Sequence, residues 1–374
     1  MASLAIKNLL HDKVRLAVTL TGIIFSVVLS GIQLGLFVGF VRATNDLIEH
    51  SRADLWVSGK GLVNLENGMV LSERKRYQVL AVPGVARVEK RITQFGTWKK
   101  ASGGDEGVLL NGFNLNDEMG APWNVVAGSI ENLREPNSVI IDELYKEKLG
   151  VKQLGDTAEI RGYRARVVGF TRGIRTFTTS PAVFTSFKNA QDYFGLREDQ
   201  TLYLLVKLAP GANAEVVKQN ILAQVSEVDV FTTGEFARKQ AFYWMFGTGA
   251  GITVLIAAAL GLIVGVVVVA QTIYAATVDH IREYGTLKAM GATNGYIYRV
   301  IIKQSVMSGL VGYVFGIGIT LTAAHTSQQG TTAIILPWQL VAALFGLTLL
   351  MCIGASVVSI NKVTHIDPAL VFKG

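Results

Sequence analysis

Side chains that could carry out chemistry are few in this sequence, and they lie far apart. The five histidines form no His-Glu-x-x-His pair, the usual zinc site of metalloproteases. There is no Gly-x-Ser-x-Gly turn to hold a nucleophilic serine and no Gly-x-x-x-x-Gly-Lys-Ser/Thr loop to bind the phosphates of ATP. Cys352 is the only cysteine, which excludes a disulfide framework. We therefore predict no catalytic residue, no metal site and no cofactor bound by this chain. The histidines are His11, His50, His280, His325 and His365.

One short charged stretch, residues 279–293, lies between two long apolar runs. It consists mostly of good helix formers, and Gly291 stands near its end, where a glycine commonly ends a helix. A charged helix held between two membrane spans is suited to receiving force or position from a soluble partner. The alternative is an ordinary surface loop, and composition alone does not separate the two interpretations.

The composition of the whole chain predicts a membrane protein. Half of its 374 residues are hydrophobic, and its net charge is +7. Residues 42–239 carry 26 Lys and Arg against 24 Asp and Glu, whereas the remaining segments carry nine against four. The excess of positive charge therefore lies in short stretches beside the apolar runs. This pattern is typical of the cytoplasmic side of a membrane protein, and it does not favour a nucleic-acid partner.

Four segments are long and apolar enough to cross a membrane. The first contains no charged residue over about 39 Å of helix, which is too long for the apolar core of a cleaved signal peptide. The polar stretch 325–332 separates the last two. Residues 1–15 are predicted to form an amphipathic elbow helix on the cytoplasmic membrane surface, and 361–374 a cytoplasmic tail. The predicted transmembrane helices are 16–41, 247–276, 305–324 and 338–360.

The positions of Lys and Arg predict how the chain is oriented. Arg282 and Lys288 lie in the charged stretch, and Lys362 follows the last span. Because basic residues mark the cytoplasmic side, both termini are expected in the cytoplasm. Residues 42–240 then lie outside it.

Residues 42–240 are predicted to form an α+β domain. Two β-α-β units at its ends, residues 54–92 and 201–232, suggest a split ferredoxin-like part. The section between them contains a strand leading into a helix at 137–150 and a hairpin that turns at Gly162. The expected fold is thus an α-helical membrane protein with four transmembrane helices and a large extracytoplasmic α+β domain, which joins a split ferredoxin-like part to a β-rich subdomain.

Glycines at intervals of four residues in three spans predict close helix packing. The pattern does not tell whether these faces pack within one subunit or in a dimer. The central part of every span lacks ionisable residues, which argues against a proton- or ion-coupled transporter. The glycines concerned are Gly31, Gly35, Gly39, Gly261, Gly265, Gly312 and Gly316.

The sequence from Asp279 to Ala292, DHIREYGTLKAMGA, resembles the loop between the second and third membrane helices of FtsX/MacB-type ABC transporter permeases. Other stretches resemble the elbow, the extracytoplasmic domain and the closing motif of that family. Several features between Tyr243 and Gly291 are most similar to its DevC branch. No ATPase domain is fused to this chain, unlike in MacB itself. The other similar stretches are Lys7–Arg15, Asn137–Leu144 with Gly155–Gly169, and Asp367–Leu370.

The resemblance implies a permease subunit of an ABC exporter in a bacterial inner (plasma) membrane. Such a subunit forms a homodimer on a dimer of a separate cytoplasmic ATPase, and that partner binds ATP and Mg²⁺. A periplasmic membrane-fusion adaptor and an outer-membrane channel are further expected partners, besides membrane lipid. DevC-like systems are associated with export of glycolipids or other envelope compounds.

By the same resemblance, residues 279–293 form the coupling helix that docks into a groove on the ATPase. Arg282 and Glu283 are expected to form charged hydrogen bonds there, and Leu287 and Met290, three residues apart, to supply an apolar anchor. The expected coupling residues are Arg282, Glu283, Tyr284, Gly285, Leu287, Lys288, Met290 and Gly291.

Two other functions remain open within this family. One is an FtsX-like subunit that transmits the state of the ATPase to a periplasmic partner without moving a substrate, and the other is a lipoprotein-releasing permease. An external domain of this size, residues 42–240, is larger than a simple relay needs, which favours the exporter. A membrane-anchored hydrolase is disfavoured because no nucleophile–base pair is recognisable.

Overall fold

The computed structural model describes residues 13–176, 178, 180–328, 330 and 332–364. The chain divides into two compact units. The helical unit comprises Met1–Gly39, Ile252–Ser327 and Ala333–Gly374, and the sheet unit comprises Phe40–Gly251 and Gln328–Thr332. The elbow helix predicted at 1–15, the tail at 361–374 and the motif Asp367–Leu370 lie largely or wholly outside the described residues.

The described residues form ten α-helices and twelve strands. The α-helices of the described residues are α1 Lys13–Glu49, α2 Arg74–Leu80, α3 Lys146–Leu149, α4 Phe187–Phe194, α5 Ala214–Gln224, α6 Thr233–Phe242, α7 Ala250–Asp279, α8 Ile281–Ala289, α9 Asn294–Ser327 and α10 Trp338–Thr364. The strands are β1 Leu55–Gly59, β2 Leu71–Ser72, β3 Val85–Lys99, β4 Asp105–Phe113, β5 Val125–Gly128, β6 Ser138–Asp142, β7 Thr157–Ile160, β8 Tyr163–Thr171, β9 Ala182–Ser186, β10 Gln200–Thr201, β11 Tyr203–Leu208 and β12 Val228–Thr232.

Four helices, α1, α7, α9 and α10, are long and apolar enough to cross a membrane. Their bounds differ from the predicted spans, because the sequence pattern marks the end of an apolar stretch and not the end of a helix. α1 and α9 extend into polar sequence beyond 16–41 and 305–324. α7 begins later than the predicted residue 247, because a π-helix at Tyr243–Gly247 and a positive φ at Gly249 precede it.

Apolar side chains from all four long helices pack together in the helical unit. Ile23 and Val27 of α1 contact Val269 of α7, Tyr313 of α9 and Leu344 of α10 within one buried cluster. The Tyr313 hydroxyl donates a hydrogen bond to the carbonyl of Val341, at 2.7 Å. Such interhelical hydrogen bonds and close packing hold membrane helices together where the hydrophobic effect cannot.

The sheet unit is built on one large sheet, with the strand order β12-β1-β11-β3-β4-β9-β6-β8-β5. β7 pairs with β3 and β8 beside this path. The first four strands of the order are antiparallel to their neighbours. With α2 and α5 as the connecting helices, this is the β-α-β-β-α-β arrangement of a ferredoxin-like fold, and the prediction of a split ferredoxin-like part is confirmed.

The β-rich section is inserted between the second and third strands of the ferredoxin-like part. It continues the same sheet, because β3 pairs with β11 between Val85 and Arg91 and with β4 from Arg91 to Lys99. The strand therefore runs on beyond residue 92, where the first predicted β-α-β unit ends. The local pattern does not reveal the partner strand β4, which makes the second half of β3 regular.

The hairpin formed by β7 and β8 confirms the turn predicted at Gly162. The two strands pair antiparallel from Thr157 opposite Arg166 to Ile160 opposite Tyr163. Arg161 and Gly162 lie between them with φ of 50° and 89°. Two successive residues with positive φ form the tight turn whose twist matches that of the strands, and glycine occupies the second position without strain.

Candidate functional site

The charged stretch folds as the short helix α8 between α7 and α9. It ends because Gly291 takes a φ of 92°, which reverses the chain direction. The N–H groups of Gly291 and Ala292 donate to the carbonyls of Lys288 and Leu287, each at 3.0 Å, and so satisfy the last turn of the helix. The two residues that follow lead directly into α9.

The inner face of α8 is held against the rest of the helical unit by Tyr284. Its side chain is only 1% exposed and packs against Ile297 and Ile301 of α9 and Ile360 of α10. The Tyr284 hydroxyl donates a hydrogen bond to Gln304 Oε1, at 2.9 Å. Burial raises the pKa of Tyr284, and the nearby Glu283 carboxylate raises it further, so this hydroxyl stays protonated and keeps its donor.

The outer face of α8 carries charged and apolar side chains. Arg282 and Glu283 are exposed, and Met290, just past the end of the helix, is 71% exposed. Glu283 Oε1 lies 3.0 Å from Nδ1 of His280. Leu287 is half-buried and packs against the same cluster as Tyr284.

These positions divide the predicted coupling residues into two groups. Tyr284 and Gly285 are buried within this chain, so they can influence a partner only by holding α8 in place. Arg282, Glu283 and Met290 are available to a partner, whereas Leu287 is partly used within the chain. Lys288 is half-buried, and Gly291 sets the end of the helix.

Four predicted packing glycines of α7 and α9 lie directly against α1. At each of them an added Cβ would meet a side chain of α1 at less than the normal contact distance. The glycine therefore permits the close approach of the two helices. The nearest atoms to such a Cβ are Gln33 Cγ at 2.9 Å for Gly261, Ser26 Oγ at 2.6 Å for Gly265, Ile23 Cγ2 at 2.5 Å for Gly312 and Val27 Cβ at 2.8 Å for Gly316.

The glycine row of α1 also faces residues of the same chain. A Cβ at Gly31 would lie 2.7 Å from Thr320 Cγ2, and one at Gly35 would lie 2.6 Å from Ile334 Cγ2. At Gly39 it would lie 2.1 Å from the carbonyl oxygen of Ala333. The sequence left open whether these glycines pack within one subunit or in a dimer. In the structure they pack within the subunit, so this row is not available as a dimer interface.

A buried polar contact at the end of α6 was not predicted from the sequence. Glu66, in the loop before β2, is only 6% exposed. Gln240 Nε2 donates to both of its carboxylate oxygens, at 2.8 and 3.0 Å, and Trp244 Nε1 donates to Oε2 at 3.3 Å. Burial raises the pKa of Glu66, although these hydrogen bonds oppose the shift.

Two family models match this chain in succession. Residues 16–224, more than half of the chain, match the model of the MacB-like periplasmic core domain. Residues 255–368 match the model of the FtsX-like permease C-terminal region. Together the two matches cover most of the sheet unit and most of the helical unit, including α8, and leave residues 225–254 between them.

Solved structures with a similar sheet unit include two extracytoplasmic domains. The periplasmic region of MacB from Actinobacillus actinomycetemcomitans is 11% identical, with a TM-score of 0.39 over 50% of this chain and 92% of that one. The extracellular domain of YknZ, a transporter of Gram-positive bacteria, is 16% identical, with a TM-score of 0.37 over 48% of this chain and 99% of that one.

Relatives in sequence are named as ABC transporter permeases. An uncharacterized permease of Mycobacterium tuberculosis is 22% identical over an alignment 382 positions long, gaps included, which covers 99% of both chains. The permease YknZ of Bacillus subtilis is 26% identical over 231 residues, covering 58% of this chain and 55% of YknZ. With the two family models and these relatives in agreement, the chain belongs to the FtsX/MacB-type ABC transporter permeases.

Proposed function

We propose that this permease couples ATP hydrolysis in a separate cytoplasmic ATPase to a conformational change in its sheet unit, and thereby drives export of a glycolipid or another envelope compound. It acts as a homodimer with a periplasmic adaptor and an outer-membrane channel, and ATP and Mg²⁺ bind to the ATPase. The DevC-like features of residues 243–291 are the reason for naming this class of substrate.

The observation that carries the proposal is the two-sided construction of α8. Its inner side is anchored by the buried Tyr284 and the hydrogen bond to Gln304. Its outer side presents Arg282, Glu283 and the large apolar side chain of Met290. A short helix that is fixed on one side and exposes an apolar anchor beside charges has the composition of a docking element. Movement of α8 would therefore act directly on α9.

Close packing around α1 supports a mechanical role over a wide pore. α7 and α9 approach α1 so closely at Gly265 and Gly312 that no Cβ fits without displacement of an atom. The central parts of the spans also lack charged residues. On this basis the substrate does not cross the bilayer through this protein. The long helices instead transmit the movement of α8 to the sheet unit.

The size of the sheet unit favours an adaptor-linked exporter over a simple relay. Its two sections, ferredoxin-like and β-rich, share one continuous sheet and offer a broad surface for a partner. Co-purification separates the alternatives: an exporter brings down an adaptor together with the ATPase. Recovery of the ATPase with a cell-wall hydrolase or with lipoproteins would support the FtsX-like relay or the lipoprotein-releasing function instead.

Replacement of Met290 by alanine tests the docking role of α8. Because a central apolar anchor commonly contributes more than 1 kcal/mol to an interface, we expect Met290→Ala to weaken ATPase binding by about tenfold. Binding is measured with the purified permease in nanodiscs and its co-purified ATPase. Stimulation of ATP hydrolysis by the permease should fall in parallel.

Met69→Ala provides the matched control. Met69 is an exposed methionine of the sheet unit, so its loss removes the same kind of side chain at a distance in sequence from α8. We expect this variant to bind the ATPase as the wild type does. Wild-type affinity of Met290→Ala would show that α8 does not dock through this residue.

A further inference from the structure

The loop of residues 61–67 is fixed to the ferredoxin-like part of the sheet from two sides. The N–H groups of Gly61 and Leu62 donate to Asp229 Oδ2 of β12, at 2.8 and 3.2 Å. The Tyr203 hydroxyl of β11 donates to the carbonyl of Leu65, at 2.8 Å. A loop with several tertiary hydrogen bonds is a rigid part of the domain to which it is attached.

This loop is hydrogen-bonded to the segment that leads into α7. Glu66 accepts three hydrogen bonds from neutral donors, two from Gln240 Nε2 and one from Trp244 Nε1. Leu65 N–H donates in return to Gln240 Oε1, at 2.9 Å. Gln240 itself is fully buried, and a buried polar group has to keep its partners because an unsatisfied group is costly.

The backbone becomes irregular immediately after this contact. Tyr243–Gly247 forms a π-helix, and Gly249 has a φ of 76° before α7 starts at Ala250. π-helices and glycines with positive φ are the usual features of a point where a helix can bend. α1, in contrast, is one continuous helix from Lys13 to Glu49.

We propose that Glu66 is a positioning residue that fixes the domain side of a hinge at residues 245–249, so that α7 pivots at the hinge instead of unwinding α6. This inference rests on the proposed function, because it concerns the way in which movement passes between the sheet unit and α7. Without the contact to Glu66, the flexible region would extend back into α6, and movement would be absorbed there.

The test uses exchanged partners at positions 66 and 240. Glu66→Gln replaces one carboxylate oxygen by an NH₂ group. This group faces the NH₂ of Gln240, and one hydrogen-bond acceptor is lost. Glu66→Gln combined with Gln240→Glu restores one carboxylate and one amide in reversed order. Glu198→Gln is the control, because it changes an exposed glutamate of the same unit. All variants are full-length chains in nanodiscs with the co-purified ATPase.

Two readouts are measured. Amide hydrogen exchange of residues 236–247 should become severalfold faster in Glu66→Gln, return towards the wild-type rate in the double variant and stay unchanged in Glu198→Gln. The second readout is the distance between spin labels at Val216 in α5 and Ile256 in α7, in a Cys352→Ala background. We expect a narrow distribution that shifts with nucleotide in the wild type and a broad, unresponsive one in Glu66→Gln.

The outcomes distinguish a failure of the role of Glu66 from a failure of the proposed function. Wild-type exchange and wild-type distances in Glu66→Gln would overturn the role of Glu66, as would a double variant that stays as loose as the single one. A wild-type distance that does not respond to nucleotide would contradict the proposed function. In that case the exchange rates alone decide whether Glu66 holds the end of α6.

Discussion

Tyr284 shows how one side chain can determine the position of a short helix. It is the only large apolar residue of α8 that is fully buried among the described residues, and its hydroxyl reaches Gln304 across to α9. This hydrogen bond joins α8 to α9 at a distance of 2.9 Å. Tyr284 directly follows the exposed Glu283, so neighbouring residues of α8 lie on its buried face and on its exposed face.

Asp142 provides a prediction on pH at the residue scale. This buried carboxylate at the end of β6 accepts hydrogen bonds from Thr171 Oγ1 at 3.0 Å and from the N–H of Ile174 at 2.7 Å. Burial nevertheless raises its pKa above the ordinary value of 3.8. The folded chain therefore holds a proton at pH values where the unfolded chain has lost it. The stability contributed by this proton is present at low pH and is lost as the pH rises through the folded-state pKa.

We therefore expect the wild type to lose stability relative to Asp142→Asn as the pH is raised from 3.8 through that raised value. The measurement is the unfolding of both chains in detergent across a series of pH values, from which the difference in free energy of unfolding is taken. Comparison with the variant removes the contributions of all other titrating groups. Two parallel curves, or a wild type that gains on the variant with rising pH, would refute the prediction.

Two glycines of α9 give a matched test at the scale of elements. Gly312 faces Ile23 of α1, and an added Cβ would lie 2.5 Å from it. Gly318, six residues later on the same helix, has no heavy atom within 4 Å of the corresponding position. We expect Gly312→Leu to destabilise the helical unit by about 1–3 kcal/mol or more, because overpacking forces the helices apart.

Gly318→Leu should fold with the yield and the thermal stability of the wild type. Both variants are compared by fluorescence-detected size exclusion after heating in detergent. Equal stability of the two variants would mean that α1 and α9 are not packed closely at Gly312. A loss confined to Gly318→Leu would indicate that the free face of α9 carries the packing instead.

The sequence predicted elements well where one local pattern determines them. The ferredoxin-like strand order follows from two β-α-β units, and the hairpin at Gly162 follows from alternation around a glycine. The extra length of β3 could not be predicted, since it depends on β4. The contact of Glu66 with Gln240 and Trp244 joins residues more than 170 positions apart, and no local pattern indicates such a pair.

The site was predictable to the same degree. Charge and spacing predicted a helix at residues 279–293, and the structure has α8 there, with Met290 exposed just past its end. The sequence pattern did not distinguish the residues that pack α8 against the rest of the chain from the residues that α8 exposes. Tyr284 has the amphipathic character of an interface residue, and its burial against α9 depends on the turn at Gly291, which brings the two helices together.

At the scale of the whole molecule, the proposed function connects three features in the order in which movement would pass through them. α8 receives the movement of the ATPase, the closely packed long helices carry it, and the segment after Glu66 and Gln240 delivers it to the sheet unit. α1 enters the sheet unit as a continuous helix, whereas α7 is preceded by an irregular backbone. The two covalent connections therefore differ in backbone regularity, and the proposed hinge lies in the irregular one.

Cross-linking across the homodimer tests mechanical transmission most directly. Cys352 is the only native thiol and is replaced by alanine, after which cysteines are introduced at Arg42 and at Tyr243, singly and together. Arg42 lies in the part of α1 that belongs to the sheet unit, and Tyr243 begins the π-helix that precedes α7. We predict that cross-linking yields differ between the nucleotide-free and the ATP-trapped complex with its ATPase. Constant yields in a complex that still hydrolyses ATP and exports its substrate would contradict the account and require a path through the membrane helices.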